Sequence, residues 1–447
     1  MKLKIIGAGL AGCEAAYQAA KRGVEVTLVE SKPIKHSAAH ILDTFAELVC
    51  SNSLKSEELS SGSGLIKQEL KTLDSLLIDC ANACRVPAGS ALAVNREEFS
   101  SLVTKRMREF PNIKIVNKSE NNIIPQEDEY VIVATGPLTN DDLLPSLRAF
   151  CGEFLSFYDA VAPIVTKESI DMSSAFYANR YGKGRQKEKS QEEEQGEEEG
   201  EDYLNCPLTK EEFSRFWENL IEAERVVLSQ EEAKVFESCM PVEIMAQRGM
   251  DTIRYAMFKP VGLKDSQGNR PYAVMQLRKE NKEGTLFNLV GCQTNMLFKE
   301  QKRVFSLIPA LKNAEFSRYG VMHKNIFINS PRLLEQTQQA KSNGRILFAG
   351  QITGVEGYCE SIASGLMAGI NVSRLIYGKP CLTLDNNTMI GALSSYIVAP
   401  NVDFQPMNAN YGLLPPLDTI VKDKREKKLL MAQRSLNILR EILQKGV

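Results

Sequence analysis

Three glycines, Gly7, Gly9 and Gly12, stand in "LKIIGAGLAG" between a short apolar run and a helix-forming one. No other feature narrows the fold so far. A G-x-G-x-x-G turn permits a tight bend at its first glycine, backbone approach to a pyrophosphate at its second, and helix-on-strand packing at its third. The neighbouring sequence supplies what the turn needs: "LKIIGAG" reads as a buried strand, "LAGCEAAYQAAKRG" as a helix closed by Gly23, and "VEVTLVE" as a second strand. That strand ends at Glu30, 18 residues beyond Gly12, where a carboxylate accepts from ribose hydroxyls. Gly7, Ala8, Gly9, Leu10, Ala11, Gly12 and Glu30 are therefore expected to begin a dinucleotide site in an α/β, Rossmann-type doubly wound domain.

Two later segments complete that domain. "EYVIVATGP", Glu129 to Pro137, is a strand that runs into Gly136 at the cofactor. "GRILFAGQITGVEGYCESIASGLMAGINVSRLI" gives a strand, a glycine-rich turn and a helix from about Tyr358 through Leu375. In two-dinucleotide flavoproteins such a late turn lies over the ribityl chain and flavin, so FAD is expected as the tightly held cofactor, with Gly350, Gln351, Gly354, Val355 and Tyr358 around it. The cofactor domain is discontinuous: residues 1–166 form its first part and 320–447 its second, with a C-terminal helix. Residues 167–319 form an inserted α+β domain, with strand-like "RYAMFKP", "YAVMQLRKE" and "TLFNLVGCQ" and helices in "KEEFSRFWENLIEAE" and "VEIMAQRG". The C-terminal helix reads as a packed helix with Leu429, Leu430, Ile438, Leu439, Ile442 and Leu443 apolar and a basic, solvated face.

Composition excludes several classes. With 447 residues, 43% of them hydrophobic, the chain can bury a sizeable core, and no run of about 18 apolar residues marks a membrane span. A cytoplasmic protein without targeting peptide or obligatory protein partner is expected. Ten cysteines occur without a CxxC pair, and His36, His40 and His323 have no zinc spacing, so neither a disulfide framework nor a metal is indicated. Cys13, Cys80, Cys84, Cys151, Cys292, Cys359 and Cys381 read as small buried hydrophobes. The run Gln186 to Asp202 holds nine acids against two lysines; its −7 leaves about +5 on the rest of a chain of net charge −2. It reads as a solvated, disordered loop at 186–202.

The ordered motifs go further than the fold. "GAGLAG", "FAELVCSNSL", "RVPAGSALAVNREEFS", "ATGPLT", "FYDAVAPIV", "RYGKG", "LNCPLT", "FESCMPVEIMAQRG", "MFKPVGL", "YAVMQLR", "NLVGCQTNM", "QKRVFSLIPALKNAEFSRYGVMHKN" and "AGQITGVEGYCES" resemble, in order and spacing, the bacterial folate- and FAD-dependent tRNA (uracil-5-)-methyltransferase family from about residue 3 to 415. Cys13 replaces a commoner serine, Cys292 interrupts the usual "GFQT", and the acidic run is an insertion. A related flavoprotein family that modifies the wobble uridine with a GTPase partner is longer. A close relative methylates a 23S ribosomal RNA uridine, so tRNA and 23S rRNA both stay open as targets.

The resemblance implies a chemistry that joins a nucleotide cofactor to a thiol. Uracil C5 is a poor nucleophile until a thiolate adds to C6 and makes it enolate-like. The carbon donor, 5,10-methylenetetrahydrofolate, is at the oxidation level of formaldehyde, so two further electrons come from reduced FAD, recharged by NADH or NADPH. By resemblance Cys239 in "FESCMPVE" is the candidate nucleophile, and Cys50 in "ELVCSNS" lies near the flavin and assists, with removal of the C5 proton as one role. The residues alone do not divide those roles, and Cys206 in "LNCPLT" is a third candidate. Pro241 at a helix start would place Cys239 near the positive end of "VEIMAQRG". Tyr358 is expected either to stack on a flavin or pterin ring or to be structural. Arg248, Arg254, Lys259, Arg278, Lys302, Arg303, Arg318 and Lys324 are candidates for phosphate or folate glutamate contacts. A non-catalytic FAD-bearing RNA-binding protein would keep the glycines but would not need Cys50 and Cys239.

Overall fold

The computed structural model describes residues 1–37, 39–180, 202–226, 240–265 and 268–444. Cys239 and the acidic run through Glu201 lie outside them. Strands β1 (Lys2–Ile6), β2 (Val26–Glu30), β3 (Ile113–Asn117), β4 (Glu129–Val133) and β5 (Asn343–Phe348) form a parallel sheet in the order β3-β2-β1-β4-β5. A short strand, Gln339–Ala340, pairs antiparallel at the β5 edge. Leu3, Ile5, Val131, Ile132 and Leu347 are buried almost completely, as expected for parallel strands covered on both faces.

Helix α1 (Leu10–Lys21) lies against α2 (Tyr358–Ile376), and glycine sets their separation. A Cβ on Gly365 would fall 2.2 Å from the Ala11 carbonyl oxygen, and one on Gly369 would fall 2.5 Å from that of Ala15. This close approach brings the start of the C-terminal helix to the start of the N-terminal one. The loops after β1, β4 and β5 consequently meet at the carboxyl edge of the sheet, where ligands of such folds bind.

The second sheet is antiparallel: Phe176–Tyr177, Tyr203–Leu208, Ala273–Lys279, Leu286–Leu289, Ile164–Thr166 and Phe316–Arg318, in that spatial order. Its core is aromatic, with Phe213, Phe216, Phe258, Phe287 and Phe305 buried together. Helix Lys210–Glu222 delivers two of these rings and starts at a capping box between Thr209 and Glu212. Strand Ile164–Thr166 belongs to this sheet, although it precedes the boundary expected at 167. The expectation of a strand at "RYAMFKP" fails: Arg254 and Tyr255 end a helix, Met250–Tyr255, and the chain then turns. A short apolar run does not distinguish strand from helix end.

A two-stranded antiparallel ribbon of Leu155–Ala160 and Met322–Phe327 joins the two parts and rests on the cofactor domain through Ile326 N to Pro137 O, 3.0 Å. The C-terminal helix, Lys424–Gln444, buries Met431, Ala432, Ser435, Leu436 and Leu439. Leu429, Leu430 and Leu443, expected on its apolar face, are exposed. Among the described residues no helix is long and apolar enough to cross a membrane, and no cluster of His, Cys, Asp or Glu could hold a metal ion.

Candidate functional site

The glycine turn builds a cradle at the amino end of α1. Gly7 has φ +100°, and a Cβ there would fall 2.6 Å from the Ala134 oxygen on the neighbouring strand's exit. At Gly12 a Cβ would fall 1.8 Å from the Gly7 oxygen. Gly9 differs from both. A Cβ there meets nothing within 4 Å, and Gly9 caps α1 without any side-chain hydrogen bond. The open space and the uncapped helix terminus suit an anionic pyrophosphate.

Glu30 closes the cradle from the end of β2. Its carboxylate accepts from Ala8 N at 2.7 Å and from Lys32 N at 3.0 Å, which fixes it against the turn it would serve. The cavity over this edge is lined by Gly7, Ala8, Gly9, Leu10, Ala11, Glu30, Gly136, Gly350, Gln351 and Tyr358, among others. Gly350, at φ +82°, passes so near Ala11 that a Cβ would lie 2.7 Å from that side chain. Gly354 and Val355 are not brought to the cavity. A Cβ on Gly354 would strike the Phe404 ring at 2.5 Å, and Val355 bridges to Met407, so these two secure the 404–407 segment.

Cys50 lies at the cavity's Tyr358 end, in a loop held from three sides. Tyr358 Oη accepts from Cys50 N at 2.9 Å and Ser51 N at 3.0 Å. Arg96 donates to the carbonyls of Leu48 and Val49, at 3.1 and 3.3 Å, while pairing with Glu280 at 2.8 Å. Arg278 donates from the inserted sheet to Asn52 Oδ1 and Ser51 Oγ, both at 2.8 Å. Arg278, considered for phosphate or folate, thus positions the thiol's loop. The Cys50 thiol donates to Asp159 Oδ2 at 3.2 Å.

Asp159 sits on the two-stranded ribbon directly opposite His323 and is 3% exposed. Burial, with the charge of Arg318, pushes the imidazole of His323 below its usual range, and its buried Nε2 has no partner among the described residues. Glu356, buried, is pushed up to about 8 by burial first and by Asp159's charge second, while Gln351 donates to it at 2.5 Å. Arg318 is held below the ordinary guanidinium range by burial and by Arg96, within electrostatic reach of Cys50. Asp159, Glu356 and Arg96 were not singled out from the sequence. Asp159 lay inside the quoted motif "FYDAVAPIV", where a carboxylate in an apolar run was the available signal.

The remaining candidates separate by burial. Cys206 is fully buried and pushed up to about 12 by that burial, which makes it a packed thiol. Cys13, Cys80, Cys84, Cys292 and Cys359 are also buried, and Cys151 and Cys381 are partly so. Cys239 lies outside the described residues. Its neighbour Met240 is buried, Pro241 caps helix Val242–Ala246, and Val242 N donates to Gln293 O at 2.7 Å. That helix has only five residues, so its dipole is a weak source of thiol activation. Arg254 lies over the Tyr272 ring at 3.9 Å and Arg303 pairs with Glu300 at 2.7 Å, so both have structural partners.

A parallel doubly wound sheet with a glycine cradle, a carboxylate at the end of its second strand and a late glycine turn over one cavity defines a Rossmann-type dinucleotide-binding protein of the flavoprotein class. Two solved structures of Aquifex aeolicus GidA share the fold, with TM-scores of 0.70 and 0.69 at 16% identity, covering 98% and 99% of this chain and 73% and 78% of theirs. The family model "Glucose inhibited division protein A" matches residues 2–380. Proteins named methylenetetrahydrofolate–tRNA-(uracil-5-)-methyltransferase TrmFO are 51% identical in Acetivibrio thermocellus over 447 residues, 99% of each chain, and 51% in Caldicellulosiruptor bescii over 450 residues, 100% of this chain and 99% of that one. The Bacillus cereus protein of that name is 49% identical over 445 residues, 99% of this chain and 98% of its own. The chain belongs to this methyltransferase family.

Proposed function

We propose that this chain methylates C5 of uracil in tRNA, with methylenetetrahydrofolate as carbon donor and FAD as cofactor. The cradle fits FAD: the open space at Gly9 admits a pyrophosphate, the uncapped α1 terminus faces it, and Glu30 stands at the ribose position. When bound, FAD supplies the two electrons that take a methylene carbon to methyl, and NADH or NADPH restores them.

The chain's own residues divide the remaining work. Cys239 is the thiol that adds to C6, and Cys50 handles the proton lost from C5. The observation that carries the assignment of Cys50 is its tether: Tyr358, which lines the cofactor cavity, holds the Cys50 amide while the thiol donates to buried Asp159. A thiol so held is a proton-transfer group beside the flavin's place. Residues 1–166 and 320–447 hold the cofactor in this reading, and 167–319 supplies Cys239 and the arginine that fixes the Cys50 loop.

The test is to map 5-methyluridine in tRNA and in 23S rRNA from cells with and without the gene. Loss confined to tRNA supports the reading. Loss confined to 23S rRNA moves the same chemistry to a ribosomal uridine, and no loss in either overturns it.

A further inference from the structure

Among the described residues, four thiols donate hydrogen bonds to identified acceptors, and one of them differs in kind. Cys13 and Cys359 give theirs to backbone carbonyls and Cys381 to the Gln339 amide, all neutral acceptors. Cys50 gives its own to a carboxylate on another element, 109 residues away. Asp159 is nearly inaccessible, so its carboxylate is largely shielded from solvent. We propose that Asp159 is the proton partner of Cys50, holding the thiol protonated at rest and accepting its proton when the sulfur receives one from uracil C5.

The surrounding charges favour this assignment. Glu356 is raised by burial and by Asp159's charge, so it holds its proton more tightly than an ordinary carboxyl. His323, opposite Asp159 on the ribbon, is pushed below the usual imidazole range by burial and by Arg318. Arg96 is engaged by Glu280 and two carbonyls. Arg318 and Arg96 both lie within electrostatic reach of the sulfur, Glu47 lies within reach of Arg318, and Lys55 within reach of Glu356. Lys324 follows His323 on the ribbon and pairs in register with Tyr158. Asp159 is therefore the carboxylate positioned to take the proton.

The step balances without an external acid or base. The C5–H bond breaks and its electron pair enters the ring as the enolate conjugated with the C4 carbonyl. The proton goes to the Cys50 sulfur as the sulfur's own proton passes to Asp159 Oδ2. Cys50 ends as a thiol and Asp159 as a neutral acid, which is reset before the next cycle by passing its proton back through the partly exposed Cys50 sulfur to solvent. Asp159 touches no uracil atom in this account and is a positioning residue that acts through Cys50.

This inference rests on the proposed role of Cys50, and its test separates the two. In the FAD-loaded protein, iodoacetamide alkylation of the Cys50 peptide is followed by mass spectrometry across pH, which requires neither RNA nor folate. Asp159→Asn removes the charge that opposes ionisation, so the alkylation midpoint is expected to fall by about one pH unit or more. Its methylation rate is expected to fall about 100-fold, in the range typical of lost acid–base assistance. Asp159→Glu, which keeps a carboxylate within reach, should hold the midpoint within about half a unit of wild type. An Asp159→Asn midpoint equal to wild type, undiminished turnover, or a Glu variant that shifts as far as the Asn variant would overturn the proposal. Wild-type protein that makes no 5-methyluridine would instead sink the methylation reading, whatever the alkylation profile.

Discussion

The phenolic oxygen of Tyr358 accepts hydrogen bonds from two successive backbone amides, Cys50 N and Ser51 N, across 308 and 307 residues of sequence. One side chain of α2, lining the cavity, thereby fixes the position of a thiol delivered by the N-terminal part of the chain. Tyr358→Phe keeps the ring and removes the acceptor, which leaves two amides to find water. The loss should cost about 1–3 kcal/mol of stability, read as a lower Tm. Turnover should fall about tenfold or more through misplacement of the thiol. Flavin content should be unchanged, because no contact of the glycine turn is touched. An unaltered methylation rate would show that the tether does not set the position of Cys50.

The two later glycines of the turn should fail in different ways. Gly9 has φ −77°, which any residue adopts, and open space where its Cβ would be, so Gly9→Val should fold normally and be colourless because the side chain fills the pyrophosphate's place. Gly12→Ala has no such room: the 1.8 Å approach to the Gly7 oxygen forces backbone to move, at a cost of about 3 kcal/mol. Soluble Gly9→Val that retains full flavin absorbance, or Gly12→Ala as stable as wild type by thermal unfolding, would contradict this reading of the cradle.

The contrast between these glycines shows what was legible before the structure. The turn could be read from sequence because its constraint is covalent and local: a missing Cβ at fixed spacing between a strand and a helix. The closure of the sheet by β5 and α2 was also legible, since "GRILFAG" and the helix after it repeat the same local grammar. Asp159 was not assigned because its meaning lies in a hydrogen bond to Cys50 formed by tertiary packing. The role of Arg278 in holding the Cys50 loop was not legible for a related reason. A basic residue on a strand can reach either face, and here it turns toward Ser51 and Asn52. The C-terminal helix fails differently: Leu429 and Leu430 are apolar, but the stripe that packs runs through Met431, Ser435 and Leu439, with Ala432 and Leu436 beside it. That spacing of four was present in the sequence, masked by two adjacent leucines and by a buried serine that donates to Glu69.

Glu356 gives the protein a pH dependence with a definite sign. Its folded-state value is raised from 4.5 to about 8, so the native state holds a proton that the unfolded chain releases earlier. The stability it contributes is fully present below about pH 4.5 and is lost as pH rises through 8. Glu356→Gln mimics the neutral acid and keeps an acceptor for the Gln351 amide. The variant should gain on wild type as pH rises from about 5 to 8, at no more than about 1.4 kcal/mol per pH unit. Thermal unfolding curves that stay parallel across that window would show that the carboxyl group is already ionised in the folded protein.

The division of labour between the two proposed thiols can be read from a trapped intermediate. If Cys239 adds to uracil C6, tRNA carrying 5-fluorouridine at the target position should be held covalently, because fluorine does not leave C5 as a proton does and the adduct cannot resolve. The product should migrate as a protein–RNA conjugate under denaturing conditions. Cys239→Ala should abolish that conjugate and keep its flavin, since Cys239 stands far in sequence from the dinucleotide turn and the described residues on its C-terminal side anchor to Gln293 of the inserted sheet. Cys50→Ala should still form the conjugate while losing turnover of ordinary tRNA, because adduct formation needs the nucleophile and the C5 proton leaves only later. The Asp159→Asn protein should behave like Cys50→Ala in this assay, trapping fluorinated RNA and failing to turn over unmodified tRNA. A conjugate that survives in Cys239→Ala and disappears in Cys50→Ala would reverse the two roles, and the hydrogen bond to Asp159 would then restrain a nucleophile.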